Sequence, residues 1–372
     1  MKIIHVCETI IGGTGSYLSE VIPHQVERYG AENVALLIPQ THMPFVEKSI
    51  LDSGARIFTF ARPRRLSGSI YLSFQYLRRL QSFKPDIIHA HSSIAGVIVR
   101  SLRMFTRAPI VFCPHGWSMD MKGSRAMLRM TEVAERVLGR LPDQIVVISA
   151  HEYQRALDIG IPTSRLTLIP NGIANIVPAV APAPWDDDRI KVLYAGRFDY
   201  QKGVDVLMRA VEGLDDRLSV RLVGDAASGN RVLPAKLPAC VTEVGWLDRK
   251  GVTAQMMSCD VLVVPSRWEG FGLVAIEAMR LAKPVIASAV GGLQEIIDQG
   301  RYGYLVQPED VQELHDRLLE LDREELRAMG EIGHNRYLSK YTADRMVRQL
   351  DDLYARMLLT SLPAAAGAGT DE

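Results

Sequence analysis

The chain is 372 residues long, 47% hydrophobic and 23% charged, which excludes a disordered or low-complexity chain and exceeds what one core usually serves, so two domains are expected. Its net charge of zero hides an asymmetry: residues 1–180 hold 20 Lys and Arg against 13 Asp and Glu, and the remainder holds 23 against 30. No apolar run approaches the ~20 residues of a membrane span, and Cys7, Cys113, Cys240 and Cys259 lack the spacing of a zinc or disulfide framework.

The N-terminus begins directly as a strand without a signal-peptide layout, so a cytosolic chain is expected. Apolar segments at 2–7, 34–38, 56–60, 87–90, 110–113, 145–148 and 166–169 alternate with amphipathic helical stretches, the βαβ repetition of a doubly wound parallel sheet. After the first strand, Gly12, Gly13, Thr14 and Gly15 open a helix whose amides suit a phosphate. A dinucleotide fingerprint is incomplete there, because Gly13-x-Gly15-x-x-Leu18 lacks the third glycine and the second strand ends at Gln40 with no acidic residue. Between Arg56 and Arg140 fifteen basic residues face four acids. Such a field suits an anionic membrane, nucleic acid or an anionic acceptor, and a solvated face balanced by the acidic half is the plainer reading. Arg100, Arg103 and Arg107, and then Arg125, Arg129, Arg136 and Arg140, recur among apolar residues at helical spacing, the pattern of an interfacial helix. His89 and His91 share one strand face with no third ligand in view, so no metal is expected on them. His115 ends a strand before Gly116, where a capping or core histidine competes with a site residue.

Three prolines and Asp186, Asp187 and Asp188 mark a linker at 176–189. Alternation resumes with strands at 190–195, 219–223, 241–244, 260–264, 285–287 and 304–306. Arg197 and Lys202 lie on the loop between the first of these and a helix at 204–214, and a fork of donors plus a point charge suits a diphosphate. Past the strand at 260–264, Glu269, Gly270 and Gly272 form a turn into a helix at 273–282 that carries Glu277 among apolar neighbours. A carboxylate in that setting needs a partner. Residues 311–359 are helical in pattern, and the Ala- and Gly-rich tail is expected to be disordered.

The two glutamates with seven residues between them, the block Gly196-Arg197-x-x-x-x-Lys202-Gly203 and the early glycine loop together resemble the retaining glycosyltransferases of family 4. That resemblance implies the GT-B fold, two Rossmann-like domains facing across a cleft: 1–175 on the acceptor side, 190–345 holding the nucleotide sugar, and 346–372 as a helix returning to the first domain plus the tail. It places Glu269 and His115 on the transferred sugar, Glu277 on the ribose, and Gly270 with the amides of Phe271, Gly272 and Leu273 on sugar hydroxyls and phosphate. Arg197 and Lys202 take the diphosphate, and Gly13, Thr14 and Gly15 line the donor pyrophosphate and acceptor side. Front-face transfer is implied, in which the donor phosphate accepts the acceptor's proton. The only Asp-x-Asp match, Asp186 to Asp188, falls in the linker and not at a strand end, so no cofactor or divalent metal is expected. The expected partners are a UDP- or GDP-sugar, a lipid-linked glycan of cell-surface polysaccharide or lipopolysaccharide, and an anionic membrane at whose inner face the protein works, with no nucleic acid. A nucleotide-sugar epimerase or hydrolase, or a non-catalytic nucleotide-sugar sensor, stays open beside this reading.

Overall fold

The computed structural model describes residues 1–185, 187–226 and 232–361. They divide into two compact units, Met1–Gly172 with the described part of Ala343–Glu372, and Ile173–Thr342.

In unit 1, seven strands run in the order β3-β2-β1-β4-β5-β6-β7, with β1 at Ile3–Cys7, β2 at Val34–Pro39, β3 at Arg56–Phe60, β4 at Ile87–His91, β5 at Ile110–Cys113, β6 at Gln144–Val147 and β7 at Leu166–Leu168. Every pairing is parallel. β1, β2, β4 and β5 are buried along their whole length, as parallel strands covered by helices on both faces must be, and this is why they read as continuous apolar runs. Unit 2 repeats the plan with six parallel strands in the order β10-β9-β8-β11-β12-β13. Here β8 is Ile190–Ala195, β9 Leu218–Val223, β10 Val241–Gly245, β11 Val261–Val264, β12 Val285–Ser288 and β13 Gly303–Val306. Strand order reverses between β1 and β4 in unit 1 and between β8 and β11 in unit 2, the switch points where open α/β sheets bind ligands at their carboxyl ends.

One local reading needs correction and two are sharpened. The segment read as the interdomain linker is fastened to unit 2. Arg280 donates to the carbonyls of Ala174 at 3.0 Å and Ile176 at 3.3 Å, and the Ala183 N–H donates to Ala254 O at 3.0 Å. The buried Trp185 indole donates to Ser219 Oγ at 2.9 Å beneath the Arg221 guanidinium, so an aromatic anchor outweighs the proline-rich composition. Asp186 lies outside the described residues. The helix expected over 204–214 closes at Ala210, and Gly213 turns the chain at φ +79°. The long helical pattern is cut into Val311–Leu319, Arg323–Lys340 and Ala343–Ser361, with the second started by the Asp322 carboxylate accepting from the Glu324 and Glu325 amides at 2.9 and 3.0 Å.

The last helix belongs to unit 1. Leu350, Leu353 and Tyr354 are buried there, and Asp351 accepts from Arg28 at 2.7 Å and from the Tyr29 hydroxyl at 2.9 Å. The expected disordered tail lies outside the described residues. All four cysteines are free and buried. Among the described residues, no helix is long and apolar enough to cross a membrane.

Candidate functional site

In unit 2 the two loops at the switch point are stitched together. The loop after β8 carries Arg197, Asp199, Gln201 and Lys202, and the loop after β11 carries Ser266 to Gly272. The Arg267 amide donates to Gln201 O at 2.8 Å, and Gln201 Nε2 returns to Trp268 O at 3.2 Å. Arg267 itself, nearly buried, forks onto Asp205 at 2.8 and 2.7 Å, donates to Tyr200 O at 2.8 Å, pairs with Glu309 at 2.5 Å and lies 3.9 Å over the Tyr200 ring. The carboxylates hold its guanidinium in the charged form. Sequence reasoning missed Arg267 and Gln201: both lie within the motif loops, but their partners sit elsewhere in the chain, which spacing alone does not show. They fix the two motifs against each other.

On this frame the Lys202 ammonium donates to the Glu269 carboxylate, and Ser266 Oγ sits 3.5 Å from the same oxygen. Both ion-pair partners are largely withdrawn from water. Arg197 bonds Gln201 Oε1 at 2.9 Å and Asp199 at 3.2 Å and stays 42% exposed. Thus the two expected diphosphate ligands share one loop, and Lys202 also holds the expected sugar ligand, Glu269.

Glycines permit the close approach of these loops. A Cβ at Gly203 (φ +66°) would lie 1.9 Å from Pro265 O, and one at Gly291 (φ +50°) would lie 1.6 Å from Glu269 O. Gly292 likewise leaves no room against Gly270 and Phe271. The helix Leu273–Arg280 opens at Gly272 (φ +103°), so Gly270, Phe271, Gly272 and Leu273 lie at a helix start, whose first N–H groups have no intrahelical partner. Glu277 is half-buried on this helix between the buried Ile276 and Ala278.

In unit 1 the carboxyl ends of β1, β4 and β5 carry the candidates. Gly13, Thr14 and Gly15 form the first turn of the helix Gly13–Tyr29, started by Gly12 at φ +83°. The Gly15 amide already donates to Gly12 O at 2.9 Å, and a Cβ on Gly15 would lie 2.1 Å from Ile10 O, so Gly15 serves the packing of this turn. Thr14 is buried with Oγ1 3.5 Å from Ser92 Oγ. His115 (φ +53°) and Gly116 (φ +106°) form a left-handed turn after β5, and Ser92 after β4 is also left-handed at φ +68°. Non-glycine residues in that region store strain that the surroundings must hold.

His115 does not stand alone. Its Nε2 lies 2.9 Å from His91 Nδ1, His91 Nε2 lies 2.9 Å from His5 Nδ1, and His5 Nε2 lies 2.7 Å from Gln25 Oε1. His89 Nδ1 meets the Tyr354 hydroxyl at 2.6 Å. The expectation that His89 and His91 lack a third ring is therefore corrected: His5 supplies it, and the groups His5, His89, His91 and His91, Cys113, His115 each bring three potential ligand atoms within 4.8 Å of one another. The signal was present. Ile3-Ile4-His5 and Ile87-Ile88-His89 pair in register on adjacent parallel strands. Burial lowers His5 to about 4 and His115 to about 3, and drives His89 and His91 in the same direction.

The basic stretch also divides. Arg100 is fully buried, bidentate to Glu135 at 2.7 and 3.1 Å and 3.9 Å over the Phe112 ring, so it is a core residue and no part of a cationic face. The helix Arg125–Leu138, in contrast, exposes Met127, Met130, Val133 and Val137 alongside Arg125, Arg129 and Arg136.

Residues 180–336 match the family of glycosyl transferases group 1, and residues 11–174 match glycosyltransferase family 4. A protein in the cps region of Klebsiella pneumoniae is 28% identical over 91% of this chain and 96% of its own. A glycosyltransferase of Methanocaldococcus jannaschii is 30% identical over 75% of this chain and 77% of its own. Among solved structures, the Anabaena protein HepE in complex with UDP-glucose superposes with a TM-score of 0.78 at 19% identity, covering 97% of this chain and all of that one.

Proposed function

The chain belongs to the glycosyltransferases of family 4, with the GT-B fold of two Rossmann-like domains, and on that premise we propose that it transfers a hexose, with retention, from a nucleotide-sugar donor to a lipid-linked glycan at an anionic membrane surface. The observation that carries the donor half is the Lys202–Glu269 pair at the unit 2 switch point. An incoming diphosphate competes for the Lys202 ammonium, with Arg197 as a second, more exposed donor, and the charge that builds on the leaving phosphate meets cations already in position. Glu269, released from Lys202, faces the sugar, and Glu277 takes the ribose. This reading assigns the diphosphate to side-chain cations, so transfer should persist in EDTA.

UDP-glucose in HepE supports a UDP-sugar donor, and the cps-region relative supports a cell-surface polysaccharide acceptor. The helix Arg125–Leu138 supports the membrane, since an exposed apolar stripe flanked by arginines suits the boundary of an anionic leaflet at the cytoplasmic face.

Two measurements test this. A thermal-shift panel of UDP- and GDP-sugars should show one nucleotide stabilising the fold by about 2.7 kcal/mol at 100 times its dissociation constant. Failure of both classes removes the donor reading, and donor hydrolysis or epimerisation without acceptor favours the other enzyme class. Co-sedimentation should require anionic vesicles, weaken with salt, and fall when Arg125, Arg129 and Arg136 become Gln. Binding to neither vesicle type favours a soluble acceptor.

A further inference from the structure

Within unit 1 the rings of His115, His91 and His5 form a single file that ends on an amide. Each link is 2.9, 2.9 and 2.7 Å long, which are hydrogen-bond separations. His5 and His91 use both ring nitrogens, and His115 is bonded through Nε2, its Nδ1 taking no hydrogen bond among the described residues.

We propose that Gln25, acting through His5 and His91, sets the tautomer of His115 and leaves its Nδ1 as a bare acceptor for a ligand hydroxyl.

The argument is one of proton counting. Burial holds these imidazoles neutral, so each ring carries one N–H and one lone pair. Two neutral rings can bond only if one donates and the other accepts, so a file of three must run in one direction. A carboxamide oxygen only accepts. With Gln25 Oε1 facing His5, His5 must carry its proton on Nε2 and accept at Nδ1. His91 then donates from Nε2 and accepts at Nδ1, and His115 donates from Nε2. The free nitrogen of His115 is left without a proton. Turning the Gln25 amide round would reverse all three rings and make His115 Nδ1 a donor. The direction of one amide on the helix Gly13–Tyr29 thus decides what a ring at the end of β5 offers its ligand.

The surroundings keep the file dry. His5, His91 and Gln25 are fully buried, the Tyr17 ring packs edge-on at 4.8 Å from His115 and lies 5.7 Å from His91, and His89 lies 4.1 Å from His91 while bonding Tyr354 of the C-terminal helix. A buried Gln is costly unless bonded. Gln25 bonds His5 through Oε1, while its Nε2 has no partner among the described residues, and its place beside the buried Leu18, Val21 and Ile22 is explained if it terminates the file. Gln25, His5 and His91 are positioning residues, and His115 alone faces the ligand.

Nitrogen-15 correlation spectra of the full-length, unliganded, histidine-labelled protein at pH 7.5 test this directly. His5, His91 and His115 should all appear as Nε2–H tautomers. In Gln25→Met, which fills similar volume without an acceptor, His115 should become a mixture of tautomers while other resonances of unit 1 stay in place, and Gln25→Glu, which restores an accepting oxygen, should return the single Nε2–H form. A wild-type His115 protonated on Nδ1, or a Gln25→Met protein in which His115 remains wholly Nε2–H, overturns the proposal. Imidazole shifts typical of metal ligation, lost on EDTA treatment, overturn it in favour of a metal site. If Gln25→Met fails to fold, the wild-type tautomers alone decide. The measurement uses no sugar, so its failure leaves the transferase reading standing, and absence of donor binding leaves this one standing.

Discussion

The two units present their candidate residues at the same place in the same kind of sheet, yet hold them by opposite means. In unit 2 the reactive groups are charged and paired with each other, Lys202 with Glu269, on loops brought together by glycines and by Arg267. In unit 1 the candidate is an uncharged ring, His115, backed by other uncharged rings and an amide inside the core. A paired charge can exchange its partner for a ligand's charge, which suits a group that must meet a diphosphate. A buried neutral file cannot exchange anything cheaply. It suits a group whose polarity has to be the same at every turnover.

Acid should separate the units most strongly. His5 has an ordinary value near 6.5 in the unfolded chain and about 4 in the fold, so between those values the unfolded state binds the extra proton and stability falls as pH falls. For His5 alone this is about 3 kcal/mol. His89, His91 and His115 shift the same way. Glu152, raised to about 8 by burial, works against them between about 8 and 4.5, as its folded form keeps a proton that the unfolded form releases. His151, raised by its hydrogen bond to Asp120, and Glu8 and Asp351, raised by burial, oppose them too. The expected outcome is that the four rings outweigh these groups. Hydrogen exchange at pH 6.5 and pH 4.5, corrected for intrinsic rates, should therefore show unit 1 opening first at the lower pH. Preferential opening of unit 2 would break the comparison.

A second, smaller effect should fall on unit 2 alone. Gly291→Ala sets a methyl against Glu269 O at a left-handed φ, and strain of that kind costs roughly 2–3 kcal/mol. Unit 2 amides should lose protection and donor-induced stabilisation should vanish, with unit 1 unchanged. If donor affinity survives, Gly291 does not shape the site.

The fold was legible because parallel strands buried on both faces leave unmistakable apolar runs, and β3, β5 and β8 lie where the pattern put them. Linker and helix ends were less legible: Trp185 overrides three prolines through its tertiary contacts with Ser219 and Arg221, a kind of information no local window holds. Within the site, the motif residues announced themselves, while the residues that position them did not. Arg267 looks like any loop cation until its two carboxylates converge from Asp205 and Glu309. Gln25 looks like a helix-surface residue, and His5 like a strand histidine, until β1 and β4 are paired in register. Arg100 errs in the other direction, reading as surface charge because its partner Glu135 is 35 residues away.

The smallest expected effects test the exchange idea within unit 2 itself. Lys202→Ala removes a charge-assisted donor worth roughly 1.5–3 kcal/mol and leaves the Glu269 carboxylate unpaired beside the phosphate site, so nucleoside diphosphate affinity should fall about tenfold or more by titration calorimetry. Arg197→Ala should cost less, because Arg197 is more exposed and already shared between Asp199 and Gln201. Glu277→Gln should weaken the nucleotide through the ribose. Glu269→Gln should behave in the opposite sense: it lowers turnover, yet it frees Lys202 from a competing carboxylate, so affinity for the free diphosphate should hold or rise slightly. That sign is the discriminating one. If Glu269→Gln loses diphosphate affinity as fully as Lys202→Ala, the pair is a structural strut whose breakage deforms the loop, and unit 2 would then hold its site by rigidity, as unit 1 does.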